Sequence, residues 1–171
     1  MSNSNGAVVT FIRAVDAISD WSGKLFSWII WIIVVVVLVE VMLRYLFNAP
    51  TIWANELSTM LFGAYFMLVG AYCVRHDFHV RVDVFYRLFS PRTRAILDLF
   101  TSILFYLFLG TLLWKGWDIA WDSLMVREVS ESVWAPPLYP VRMVIPVSAF
   151  LMLLQGLANS IRNFMMVMAR L

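Results

Sequence analysis

Histidine and cysteine are nearly missing from this chain. Its 171 residues hold two histidines, His76 and His79, and one cysteine, Cys73. A single cysteine excludes an intramolecular disulfide and leaves the redox compartment open. The two histidines fall short of the three or four preorganised ligands that zinc takes. Sitting together at the end of one helix, they also do not supply bis-histidine haem ligation within one subunit. His76-Asp77-x-His79 therefore reads as a polar helix exit, with no metal and no cofactor expected. Charge is scarce too: Asp, Glu, Lys and Arg make up 14% of the residues, against about 25% in a soluble domain. No glycine-rich phosphate loop and no nucleophile beside a base stands out, so no catalytic function is expected.

Apolar residues are what the chain has in abundance, at 62%. So small a soluble core has no room for that excess, whereas a bilayer-spanning helix uses about 20 apolar residues in a row. Four such runs are present, and the expected fold is an all-α integral membrane protein of four transmembrane helices forming a single domain over residues 1–171. The spans are predicted at about 25–47, 52–74, 92–117 and 139–164. The first run is rich in β-branched residues, but it is far too long for a strand. It also exceeds a signal-peptide core and lacks a small-residue cleavage site after it, so it is read as a retained helix. Ahead of it, Val8, Phe11, Ile12, Val15, Ile18 and Trp21 recur at helical spacing. Arg13, Asp16 and Asp20 lie elsewhere on the helix. Residues 8–22 are thus predicted to form an amphipathic helix lying in the membrane interface.

The positive charges set the expected orientation. Arg13, Lys24, Arg75, Arg81, Arg87, Arg92, Arg94, Arg162 and Arg170 fall on the side of both termini and the middle loop. Arg44, Lys115, Arg127 and Arg142 fall on the other side. The excess of Lys and Arg in cytoplasmic segments then places both termini in the cytoplasm. The basic loop can also attract anionic lipid headgroups; so short a loop against a bilayer is a poor nucleic-acid surface. The acidic connection, about 118–140, carries Asp118, Asp122, Glu128 and Glu131 and is flanked by Trp114, Trp117, Trp121 and Trp134. It faces the exterior or periplasm on this reading.

Several polar residues within the spans point to protein contacts, because charge at that depth pairs or faces protein. Glu40 and Arg44 are one helical turn apart. Glu56, Gly63 and Gly70 share a stripe, with Glu56 directed into a helix contact and a salt bridge to Arg44 within reach. Asp98, Ser102, Tyr106 and Gly110 form a second stripe, and Gln155 and Asn159 a shared face. No polar path or discontinuous helix at the midplane marks a transporter working alone.

The segment Arg44-Tyr45-Leu46-Phe47-Asn48-Ala49-Pro50, with Trp53 and Asn55-Glu56-Leu57, resembles the small membrane subunit of tripartite ATP-independent periplasmic (TRAP) transporters, the DctQ-like family. So do Gly70-Ala71-Tyr72-Cys73-Val74-Arg75 and His79-Val80-Arg81-Val82-Asp83. The likeness extends over nearly the whole chain. Asn55 departs from it, standing where many relatives carry a second acidic residue. The resemblance implies a scaffold in a bacterial inner membrane, partnered by a large multi-span subunit that moves substrate and sodium. It also implies a periplasmic binding protein that delivers an organic acid. Trp134-Ala135-Pro136-Pro137-Leu138-Tyr139-Pro140 and Gln155-Gly156 resemble the keto-acid or dicarboxylate branch. Arg44, Trp53, Glu56, Arg75, His79, Arg81 and Asp83 are the candidate structural or interface residues. Two rival readings are a haem-binding anchor of a redox complex using His76 or His79 and a small self-assembling channel.

Overall fold

The computed structural model describes residues 2–76 and 91–168. They form six helices: α1 (Ser2–Phe26), α2 (Trp28–Leu46), α3 (Ala54–Leu68), α4 (Gly70–Arg75), α5 (Pro91–Met125) and α6 (Tyr139–Met168). Among the described residues β structure is limited to one isolated bridge, Val129 to Pro137. Four stretches are long and apolar enough to cross a bilayer: Val8–Leu46, Ala54–Arg75, Ser102–Met125 and Tyr139–Met165.

The joints follow from local chemistry. Ser27 keeps a helical backbone between α1 and α2, and its N–H donates to the Gly23 carbonyl at 3.0 Å. Its hydroxyl donates to the Lys24 carbonyl at 2.7 Å, a side-chain bond that competes with the helical ladder. Asn48 ends α2 in the left-handed region, at φ 49°; asparagine tolerates that conformation, and Pro50 cannot continue the helix. Thr51 Oγ1 then accepts the Ala54 N–H at 3.3 Å and starts α3. Helices α3 and α4 are nearly continuous, because Val69 keeps a near-helical backbone and the Cys73 N–H reaches its carbonyl at 3.0 Å.

Helix α5 runs to Met125, well past Trp117, where the charged residues led to an expected end. Asp118 and Asp122 lie on its exposed side, while Ala120 and Ser123 are buried. The two carboxylates therefore stay in contact with the surroundings and α5 continues, while the buried Ser123 hydroxyl has no hydrogen-bond partner among the described residues. At 35 residues it is about 52 Å long, more than the roughly 30 Å of a hydrocarbon layer. It stops in a Schellman turn: the Glu128 N–H reaches the Ser123 carbonyl at 2.9 Å and the Arg127 N–H the Leu124 carbonyl at 3.2 Å.

Helices α5 and α6 form the most extensive pair in the molecule. Small residues let them approach closely: Ala120 and Ala149 are fully buried, and a Cβ on Gly156 would stand 2.5 Å from the Phe105 ring. Helix α3 packs on α6 and α2. Helix α1 crosses the opposite end of the bundle, against α4 and α6, and Ile12 and Val15 close over Ala158. Its buried face mixes polar and apolar residues. Ser19 and Ser22 are buried with Ile12 and Val15, whereas Phe11, Ile18 and Trp21 are exposed. Helix α2 is peripheral. Only Ile33 and Glu40 of its residues are buried, and Trp28, Trp31, Val35, Leu38 and Met42 face outward. Apolar surface of this extent demands lipid or another protein.

Candidate functional site

Polar side chains gather at the two ends of the bundle. At one end, where α2 gives way to α3, Glu40 is 9% exposed. Its Oε1 accepts from Arg44 Nε at 3.0 Å and Nη2 at 2.5 Å. Its Oε2 accepts from the Thr51 N–H at 3.1 Å and from the Thr51 hydroxyl. One carboxylate thus ties the end of α2 to the start of α3. Arg44 is committed to Glu40, and Glu56 has a different partner: its Oε2 accepts from the Ser132 hydroxyl at 2.5 Å.

Ser132 belongs to the α5–α6 connection, which is folded back on itself. The Ser130 N–H donates to the Pro136 carbonyl and the Leu138 N–H to the Glu128 carbonyl, both at 2.9 Å. Arg142, at the start of α6, closes the base through a 2.5 Å ion pair with Glu128. Ala135 is held left-handed at φ 48°, which costs an L-residue roughly 1–2 kcal/mol. Beside it Trp134 meets Trp53, with ring centroids 6.5 Å apart and planes at 53°. Glu56 and Trp53 therefore fasten the connection to α3.

At the other end lies a network that the sequence reading did not assemble. Gln155 of α6 is fully buried. Its amide oxygen accepts from the Ser19 hydroxyl at 2.6 Å, and its amide nitrogen donates to Asp16 Oδ1 at 3.0 Å. The same nitrogen reaches Asn159 Oδ1 at 3.3 Å. Asn159 donates to the Val74 carbonyl at 3.0 Å, satisfying a backbone acceptor at the end of α4. Arg162 bridges Asn159 at 3.0 Å and Asp16 Oδ2 at 2.8 Å. Arg75 donates to the Asp16 main-chain carbonyl and pairs with the Asp20 carboxylate. His76 Nε2 lies 3.1 Å from Asp20 Oδ1, and its ring sits 4.3 Å from that of Tyr72. Helices α1, α4 and α6 are thus pinned together by hydrogen-bonded polar groups.

Gln155 and Asn159 share a face as expected, and that face is turned to this chain's own α1 and α4. Asp16, Ser19 and Asp20 lie three and four residues apart on α1, and that spacing was their available signal. The other stripes divide. Gly70 packs on Met152, but nothing lies within 4 Å of a Cβ on Gly63 or Gly110. Tyr106 pairs with Ser160 Oγ at 2.8 Å. His79, Arg81 and Asp83 lie outside the described residues. Among the described residues no three His, Cys, Asp or Glu side chains come together in a group suited to a metal.

The arrangement is mechanical: two polar clamps hold a helical bundle whose outward faces are apolar. No curated protein matches the chain. The family described as tripartite ATP-independent periplasmic transporters, DctQ component, matches residues 33–166. The match takes in α3, α4, α5, most of α2, nearly all of α6, and the connection that carries Ser132 and Trp134. The chain belongs to the DctQ family, the small membrane component of TRAP transporters.

Proposed function

We propose that this chain is the static, non-catalytic scaffold of a sodium-coupled TRAP transporter in a bacterial inner membrane. It holds the large multi-span subunit in place while that subunit moves an organic acid, a keto acid or dicarboxylate being the nearest class. The carrying observation is where the polar groups are spent. Glu40, Asp16, Asn159 and Gln155 all bond within the chain, and the extensive α2 surface outside is apolar. A body built this way offers a rigid lateral wall. Among the described residues these polar groups are bonded in the two clamps rather than arrayed along a solute path.

Orientation completes the proposal. Both termini, α1 and the clamp around Gln155 lie on the cytoplasmic side, with α1 along the interface. The α5–α6 connection lies on the periplasmic side. Asp118 and Asp122 at the end of α5 are exposed beside it, as are Glu131 and the apolar tip residue Val133 of the connection. That surface receives the substrate-binding protein. Arg44, Trp53, Glu56 and Arg75 serve by fixing the helices that present these surfaces, with His79, Arg81 and Asp83 assigned to the cytoplasmic side.

The test is a mild-detergent pull-down of the tagged chain from its native membrane, read by mass spectrometry. A stoichiometric large multi-span protein is expected. Recovery of the chain alone, or only with copies of itself, overturns the scaffold reading.

A further inference from the structure

A groove runs along α3 beneath the α5–α6 connection. Leu57, Leu61 and Ala64 form one wall, Trp134, Pro137 and Val141 the other, and the space is about 390 Å³. Met60 also lines it, and Glu56 stands one turn above Met60 on the same helix face. Glu56 adjoins the lining residues on both sides, next to Leu57 in the chain and bonded to Ser132, two residues before Trp134. Ser132 satisfies one of its oxygens. Among the described residues no cation pairs with this carboxylate and no donor reaches its other oxygen. Trp53, three residues before Glu56, and Trp134, two residues after Ser132, pack against each other.

We propose that this groove binds a phospholipid with a primary ammonium headgroup, of the ethanolamine type. Glu56 is the third residue of its candidate span, which puts it where headgroups lie, and tryptophans concentrate at that level. An ammonium supplies the missing cation, donates an N–H to the free oxygen and meets the electron-rich indole faces. One acyl chain lies below it in the apolar groove. From Leu57 to Ala64 the groove covers two helical turns, about 10 Å, and the connection roofs it. That is too short for a spanning helix and suits one chain. A glycerol headgroup brings no cation to the carboxylate, and a choline headgroup brings no N–H, so both are disfavoured.

This goes beyond the scaffold reading and is tested on the chain by itself, so each can fail without the other. The purified, delipidated protein is offered an equimolar mixture of ethanolamine, choline and glycerol phospholipids with identical acyl chains. Retention is read by native mass spectrometry. The ethanolamine lipid is expected to be retained roughly tenfold over the other two, the size of one charge-assisted hydrogen bond. Glu56→Gln keeps an oxygen for Ser132 but loses the charge, and the preference should vanish with the bundle intact. Ala64→Phe fills the groove and should reduce retention of all three lipids. Equal retention by the unaltered chain, or an undiminished preference in Glu56→Gln, overturns the proposal.

Discussion

Gln155 shows what a single polar side chain does in an apolar bundle. Its amide links Ser19 and Asp16 of α1 to Asn159 of its own helix. In a low-dielectric interior an unpaired polar group loses its full hydration, and that penalty exceeds the net value of the bond it replaces. Gln155→Leu is therefore expected to destabilise the protein by about 1–3 kcal/mol, because it strands Ser19 inside the bundle. Thermal unfolding in detergent checks this. Asp16→Asn should be milder at the Gln155 contact than at Arg162, since an asparagine oxygen still accepts but carries no charge for the guanidinium. Combining Asp16→Asn with Arg162→Met should then cost less than the two separate effects added. These residues were poorly legible in the sequence. Helical spacing assigns Asp16 and Asp20 to a face away from the apolar one, and only the packed neighbours reveal that this polar face is turned inward.

Among the described elements, the α5–α6 hairpin has the most extensive packing, and its connection holds a left-handed alanine. Gly156 has no room for a larger side chain against the Phe105 ring. Gly156→Leu should cost about 1–3 kcal/mol by overpacking, seen as a lowered unfolding temperature. The connection responds in the opposite sense. Ala135 is held left-handed at φ 48°, where glycine rests without penalty. Ala135→Gly should leave stability unchanged or raise it by up to about 1 kcal/mol, while Ala135→Val lowers it, again by thermal unfolding. Helix existence was easy to read here because each apolar run is long. The end of α5 was not: the sequence offers charged Asp118 and Asp122, and only the burial of Ala120 and Ser123 against α6 shows why the helix persists.

For the whole molecule, the peripheral position of α2 has the largest consequence. Its outward residues, Trp28, Trp31, Val35, Leu38 and Met42 among them, gain nothing from this chain. They are therefore free to meet lipid or a partner subunit, where helix association inside a bilayer rests on van der Waals packing. Reconstituted alone in liposomes, the chain should show no conductance, since Glu40, Asp16, Gln155 and Asn159 are bonded within the two clamps. Steady ion currents from the pure chain would instead favour the channel reading. Reporter fusions at either terminus should be active only when the reporter works in the cytoplasm.

The sequence by itself determined the class of this protein. Four long apolar runs require a membrane, because nothing else buries so much apolar surface in 171 residues. The ordered set from Arg44 to Asp83 determined the family resemblance. Tertiary structure decided the pairings. Arg44 had two carboxylates within plausible reach, and the helical turn of α2 gave it Glu40 while the folded connection gave Glu56 to Ser132. Residues distant in the chain, such as Asp16 and Arg162, meet only once the helices pack. Periodicity says which residues share a face of one helix; which helix that face meets is decided by the packing of the whole bundle.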